Sequence, residues 1–87
     1  MTRILLIEDE PEMARLVAGN LTRAGLLVDV AGSMTLARDT LASARFDLVL
    51  LDRGLPDGEG LALLPDIRVS QPGAPVILLT AQDRLDD

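Results

Sequence analysis

Three acidic side chains and one hydroxyl each come at the end of an apolar run, and these residues could do chemistry together. They are Glu8, Asp9, Asp52 and Thr80. If the apolar runs are neighbouring parallel strands, the residues after them meet at one edge of a sheet, where open α/β folds bind ligands. Two carboxylates about 4 Å apart repel each other by roughly 4 kcal/mol at an effective dielectric of about 20. Such a cluster needs a proton, a cation or wide solvent exposure, and Mg²⁺ prefers oxygen ligands of this kind.

An aspartate whose charge is offset by a metal ion can act as a nucleophile toward phosphorus. Carboxylates form such covalent intermediates, and phosphoryl transfer depends mostly on charge neutralisation and positioning. Each residue alone has a simpler explanation, since Glu8 and Asp9 could complement the dipole of a helix that starts at Pro11. Asp52 alone could form a turn, and Thr80 alone could end a strand. Their convergence on one edge favours the chemical interpretation.

The hydrophobic pattern predicts four strands that alternate with helices. The strands are expected at residues 4–7, 26–31, 46–51 and 76–80, and the helices at 11–24, 34–45 and 59–70. A further helix is expected to begin at Asp83. Alternation of this kind indicates right-handed crossovers and a parallel sheet with helices on both faces, which is an α/β fold. Asp29 interrupts the apolar run of the second strand, which favours an edge position for that strand.

Local signals within these elements give further expectations. Ser33 is expected to cap the second helix, and Pro65 falls early enough in the third helix for its missing hydrogen bond to matter little. In the loop after Asp52, the pair Asp57-Gly58 is interpreted as turn chemistry only, and Arg53 as a solvated charge. The first helix is expected to face the core with a helically spaced stripe of apolar residues, namely Met13, Leu16, Val17, Leu21 and Ala24.

Composition excludes several classes of site. The 87 residues set one domain as the upper limit. The chain has no Cys and no His, which excludes disulfides, thiolate metal sites and imidazole bases. The net charge is −6 and the Arg residues are not clustered, which argues against nucleic-acid contact by this segment. No apolar run is long enough for a membrane span or a signal peptide, so a soluble cytoplasmic protein is the expectation.

Three motifs together resemble the receiver domain of bacterial two-component response regulators. They are ILLIEDE at residues 4–10, LLDRGLPDGEG at 50–60 and VILLTA at 76–81. They occur in the family's order and at its spacing, and the wording is closest to receivers that precede winged-helix DNA-binding domains. The resemblance implies a flavodoxin-like, doubly wound parallel sheet with strand order 2-1-3-4. It also implies a regulatory domain, with transcription as the output, and no enzyme beyond Mg²⁺-dependent phosphorylation of itself.

The resemblance also implies a role for each site residue. Asp52 would accept a phosphoryl group from a phosphohistidine on a partner histidine kinase. Asp9 would bind Mg²⁺ directly, Glu8 through water, and Gly54 through its backbone carbonyl, and Asp52 would be a metal ligand as well. Thr80 would move toward the phosphoryl oxygens and act as the switch residue.

The chain departs from the family pattern near the predicted fourth helix. A receiver continues with that helix, a fifth strand whose end carries a Lys, and a fifth helix, whereas this sequence contains no Lys. Residues 1–87 are therefore expected to be a partial receiver domain, more plausibly a piece of a longer protein. If the chain did end at Asp87, its fourth strand would be a bare edge, and the protein would be expected to self-associate.

Two other functions remain open from the sequence. A Mg²⁺-dependent phosphohydrolase with an aspartyl-phosphate intermediate generally has a second acid two residues after the nucleophile, where this chain has Gly54. A degenerate receiver that acts only as a binding module would normally have lost one of the acids, yet Glu8, Asp9 and Asp52 are all present.

Overall fold

Four parallel strands form the central sheet of the structure, a computed structural model that describes residues 1–79. Thr80 and the helix expected at Asp83 lie outside the described residues. The strands of the sheet are β1 (Arg3–Ile7), β2 (Leu27–Ala31), β3 (Leu48–Asp52) and β6 (Val76–Leu79). The helices are α1 (Pro11–Arg23), α2 (Met34–Ser43) and α3 (Leu64–Ser70). Two short strands, β4 (Gly54–Leu55) and β5 (Gly58–Glu59), and a 3₁₀ turn (Gly60–Leu63) lie between β3 and α3.

The strand order is β2-β1-β3-β6, with every pair parallel. Because β6 is the fourth long strand, this confirms the predicted order 2-1-3-4 and the edge position of β2. Ile7 pairs in register with Ala31 on one side and Leu51 on the other. The carboxyl ends of β1 and β3 therefore lie side by side, and the residues that follow them share one edge.

Strand β1 is buried on both faces, as its unbroken aliphatic run predicts. Leu5 and Ile7 belong to a core with α2 and α3 on one face, and Ile4 and Leu6 to a core with α1 on the other. Each fully buried aliphatic side chain contributes about 1.5–3 kcal/mol relative to its exposed state. Glu8 and Asp9 thus directly follow the most deeply buried strand of the sheet, which fixes their position.

Helix α1 packs through a different stripe from the expected one. Ala14 is buried, and Val17, Ala18 and Leu21 pack against the same core. The prediction was wrong for Met13 and Leu16, whose exposed fractions are 39% and 61%, and for Ala24, which is exposed just after the end of the helix. The observed stripe has the same helical spacing but uses two alanines. Small residues let the helix approach the sheet closely, which leaves the larger Met13 and Leu16 beside the groove described below.

Local sequence signals predicted the start of α2 and the position of Pro65 in α3, but not the end of α2. The Ser33 hydroxyl accepts from the Leu36 N–H at 3.1 Å, which confirms the predicted cap of α2. Helix α2 ends at Ser43 rather than 45 because Ala44 is extended, with φ −148° and ψ 164°. The third helix begins as a 3₁₀ turn and becomes α-helical only at Leu64, so Pro65 falls in its first turn, where a missing N–H costs little.

Gln71, directly after α3, joins three segments through one buried side chain. Its Nε2 donates to the carbonyls of Leu41 and Ala44 at 3.1 and 2.7 Å, and its Oε1 accepts from the Phe46 N–H at 2.9 Å. Only 5% of Gln71 is exposed. The end of α2 and the chain leading into β3 are therefore fixed by a residue that the sequence did not single out. Across residues 1–79, the helices are too short or too polar to cross a bilayer.

Candidate functional site

Glu8, Asp9 and Asp52 meet at the carboxyl edge of the sheet. Glu8 and Asp9 follow β1, and Asp52 is the last residue of β3. One carboxylate oxygen from each lies within 4.8 Å of the others. Because β1 and β3 are parallel neighbours, the pairing of Ile7 with Leu51 places these residues together without any long side-chain reach. The expected convergence of the three acids is thus present in the structure.

The three carboxylates differ in their exposure. Glu8 is only 6% exposed, Asp52 is half-buried, and Asp9 is exposed. Burial, above all, raises the pKa of Glu8, and the nearby charges of Asp52 and Asp9 raise it further, although the N–H of Glu10 donates to Glu8 and opposes this. The edge therefore favours any species that offsets negative charge there.

A hard divalent cation fits this set of donors. The donors are carboxylate oxygens, which Mg²⁺ prefers, and one oxygen from each of the three acids lies within 4.8 Å of the others, where like charges repel. The exposure of Asp9 leaves room for the waters that Mg²⁺ usually retains. The residues present thus match the chemistry of a magnesium site.

The roles of Gly54 and Thr80, the other two predicted site residues, are not tested by the structure. Gly54 lies in β4, two residues after Asp52, and a side chain there would meet no atom within 4 Å. Its carbonyl as a metal ligand stays a prediction. Thr80 lies outside the described residues, although Leu79 before it pairs in register with Asp52. Its role as switch residue also stays a prediction.

A groove of about 830 Å³ opens from the acidic cluster along α1. Beyond the three acids, its lining comes from the start and the exposed face of α1, namely Glu10, Glu12, Met13, Arg15, Leu16, Gly19 and Arg23. Met13 and Leu16 are two of the five residues of the predicted first helix that were expected to face the core. The acids are therefore reached from solvent along a surface of mixed apolar and charged character.

Asp57 is a residue whose contacts the sequence did not predict. Its carboxylate accepts from the N–H of Met34 at 2.8 Å and from the N–H and hydroxyl of Thr35 at 3.2 Å each. The interpretation of Asp57-Gly58 as turn chemistry only was therefore wrong for Asp57. Arg53 pairs with Glu59 at 3.3 Å while both side chains stay about half exposed, in line with a solvated charge.

The fold and the arrangement of the acids are those of a known protein family. The family model described as "Response regulator receiver domain" matches residues 4–87. The chain therefore belongs to the response regulator receiver domain family, as its motifs indicated.

Relatives and solved structures agree with this assignment. The transcriptional regulatory protein PmrA of Pectobacterium parmentieri is 39% identical over 98% of this chain, and the KDP operon transcriptional regulatory protein KdpE of Escherichia coli is 34% identical over all of it. The chain spans 38% of the length of each. The non-phosphorylated HemR receiver domain of Leptospira biflexa has a TM-score of 0.86 at 33% identity, with 98% of this chain and 68% of that chain covered. The response regulator TrrA of Thermotoga maritima, solved with Mg²⁺-BeF, has a TM-score of 0.82 at 35% identity, with 90% and 68% covered.

Proposed function

We propose that this domain accepts a phosphoryl group on Asp52 from a phosphohistidine of a partner histidine kinase, with Mg²⁺ held at the same edge. The observation that carries the proposal is the acidic cluster, in which carboxylate oxygens of Glu8, Asp9 and Asp52 lie within 4.8 Å of one another. The similarity to a response regulator solved with Mg²⁺-BeF supports it. In the transfer, the phosphorus–nitrogen bond of the donor breaks and a phosphorus–oxygen bond to Asp52 forms.

Each residue has a distinct part in this proposal. Asp52 is half-buried at the end of β3, so its position is set by the sheet, and it lines the groove. Asp9, Glu8 and Asp52 would hold the cation, together with the carbonyl of Gly54. The bound Mg²⁺ supplies positive charge that offsets the charge of the carboxylates and of the phosphoryl oxygens. Thr80, one residue beyond the partner of Asp52 in the sheet, contacts the phosphoryl group and reports its presence.

The output of the switch is proposed to be transcription. Relatives such as PmrA and KdpE are transcriptional regulators, and this chain spans 38% of each. The output would then be carried by a region outside the part matched here. This segment contributes the acidic, phosphoryl-accepting part, consistent with its net charge of −6.

Self-contact through β6 is a second proposed interaction, and it applies only where no further strand or helix covers that edge. Within residues 1–79, β6 forms one edge of the sheet, and Ile77 and Leu78 are 50% and 42% exposed. An exposed apolar edge strand can pair with a second copy. Light scattering over a range of concentrations tests this, and a monomer mass throughout contradicts it.

The phosphorylation proposal is tested by incubating the chain with acetyl phosphate and Mg²⁺ and measuring its intact mass. A phosphoryl adduct is expected in the wild type, and it should be absent in Asp52→Asn or after chelation of Mg²⁺. Asp66→Asn is the matched control, because it removes one exposed carboxylate on α3 that pairs with Arg38, away from the cluster. No adduct in the wild type, or an equal adduct in Asp52→Asn, would contradict the proposal.

The same reaction separates the alternatives. An acceptor domain reaches a stoichiometric adduct, whereas a phosphohydrolase releases inorganic phosphate over many turnovers. A binding-only module gives neither product. Because Gly54 lacks a side chain at the position where such hydrolases carry their second acid, we expect the adduct and slow phosphate release.

A further inference from the structure

The first turn of α2 is capped by an acid that lies 23 residues away in sequence. Ser33 accepts from only one N–H of that turn, that of Leu36. The N–H groups of Met34 and Thr35 donate instead to the Asp57 carboxylate, and the Thr35 hydroxyl adds a third bond. Free N–H groups at a helix N-terminus favour a negative charge. Asp57 therefore supplies to α2 what a local capping residue usually supplies.

Asp57 sits at the tip of a short hairpin that follows the acceptor strand. We call residues 54–59 the acceptor hairpin; in it β4 and β5 pair antiparallel, Gly54 with Glu59 and Leu55 with Gly58. Leu55 is buried in the same core as Met34. At Gly58, a β-carbon would lie 2.2 Å from the sulfur of Met34. The tip of the hairpin is thus seated directly on the first turn of α2.

Gly60, the residue that follows the acceptor hairpin, joins the base of the hairpin to the backbone around the acceptor residue. The Gly60 N–H donates to the carbonyl of Arg53 at 2.5 Å. A β-carbon on Gly60 would lie 2.2 Å from the carbonyl oxygen of Asp52, so the two backbones are in close contact. The hairpin therefore links two fixed points, the N-terminus of α2 at its tip and the end of β3 at its base.

We propose that Asp57 is a positioning residue for the acidic edge, and that its contact with α2 and a cation bound by Glu8, Asp9 and Asp52 strengthen each other through the acceptor hairpin. The inference rests on the proposed function, because it takes the edge to be a Mg²⁺ site that includes the backbone of Gly54. Asp57 does not belong to the cluster itself. It acts by fixing the position of the backbone at Asp52 and Gly54.

The carboxylate is required in this role because each of its two oxygens accepts hydrogen bonds from α2. An Asn at this position keeps one acceptor oxygen, but its NH₂ group would face the N–H of Met34 or Thr35 and could not accept a hydrogen bond from it. Hydrogen bonds to an ionised acceptor are also the stronger ones. The bond from the Met34 N–H, followed by that from Thr35, lowers the pKa of Asp57, which keeps this carboxyl ionised.

The test is a Mg²⁺ titration of the whole 87-residue chain, followed by NMR, for the wild type and Asp57→Asn. We expect the dissociation constant to rise by several-fold, less than the roughly tenfold that loss of a direct outer-shell partner costs a metal site, because Asp57 acts through the backbone of the hairpin. Asp66→Asn is again the matched control, since it also removes one carboxylate that tethers α2, here through Arg38, but does not touch the hairpin. Its dissociation constant should stay close to that of the wild type.

Amide hydrogen exchange supplies a second measurement, which a general loss of stability would not reproduce. Coupling between two sites is reciprocal, so saturating Mg²⁺ should slow exchange of the Met34 and Thr35 amides in the wild type and not in Asp57→Asn. The amide of Ala44, which donates to Thr40 at the other end of α2, is the internal control.

The outcomes separate this inference from the proposed function. If the wild type does not bind Mg²⁺, both are overturned. If it binds Mg²⁺ and Asp57→Asn binds equally well, with unchanged exchange at Met34 and Thr35, only the role of Asp57 is overturned. An equal loss of affinity in Asp57→Asn and Asp66→Asn also overturns it, because the effect would then follow from charge or general stability.

Discussion

The carbonyl oxygen of Asp52 fills the space in which a side chain on Gly60 would begin. A β-carbon there would lie 2.2 Å from that oxygen and 3.1 Å from the Cα of Arg53, both on the backbone. Backbone atoms cannot move aside as the end of a flexible side chain can. The acceptor strand and the 3₁₀ turn that starts α3 can therefore approach each other this closely only because residue 60 has no side chain.

Gly60→Ala is expected to lower the free energy of unfolding by about 1–3 kcal/mol, the usual cost of overpacking. The end of β3 must shift, so Mg²⁺ affinity should fall as well. Gly54→Ala is the matched control: it adds the same methyl group six residues earlier, where no atom lies within 4 Å. Urea unfolding measures the stability of both variants, and equal stability of the two would contradict the prediction.

Glu8→Gln is expected to stabilise the metal-free protein at neutral pH by roughly 1–4 kcal/mol, because it removes a buried charge that the neighbouring acids repel. Burial and the adjacent acids raise the pKa of Glu8 above its ordinary value of 4.5, so the folded state holds this proton more tightly than the unfolded state. Stability therefore falls as pH rises from about 4.5 through the folded pKa.

The gain from Glu8→Gln should thus be largest above the folded pKa and vanish in acid, as urea unfolding at several pH values would show. Glu12→Gln removes the same charge from an exposed position on α1 and serves as the control. Saturating Mg²⁺ should reverse the order of stability, because the ion stabilises only a state that binds it. A less stable Glu8→Gln at neutral pH without Mg²⁺ would contradict this account.

Gln71→Ala is expected to destabilise the fold by about 2–3 kcal/mol, because it leaves buried backbone groups without partners. These groups are the N–H of Phe46 and the carbonyls of Leu41 and Ala44. Thermal and urea unfolding measure the loss. Asn20→Ala, on the exposed side of α1, should stay within about 0.5 kcal/mol; a similar small effect for Gln71→Ala would show that its bonds are replaced by water.

The sequence predicted the site as far as local signals reach. Glu8, Asp9 and Asp52 end aliphatic runs, and parallel strands bring their ends to one edge, so their convergence followed from the pattern. The order of the strands came from the resemblance of the motifs, since hydrophobic runs alone do not say which strands are neighbours. The cap at Ser33 and the position of Pro65 followed from local chemistry.

Residues whose roles depend on distant partners were not predictable in the same way. Asp57 and Gln71 each bond to backbone groups more than 20 residues away, and each stands in a stretch that also reads as an ordinary turn. On α1, the stripes that contain Met13 and Ala14 have the same spacing. Only close packing against the sheet favours the one with the smaller side chains.

The acceptor hairpin also determines which changes of length the loop after β3 can accept. Surface loops usually tolerate insertions and deletions. Here Asp57 is bound to α2 and Gly60 abuts the carbonyl of Asp52. One residue added between them would lift Asp57 from α2 or push Gly60 away from Asp52, whereas exposed Pro56 and Glu59 can be replaced without altering the span. The number of residues in this loop is therefore under tighter constraint than most of their identities.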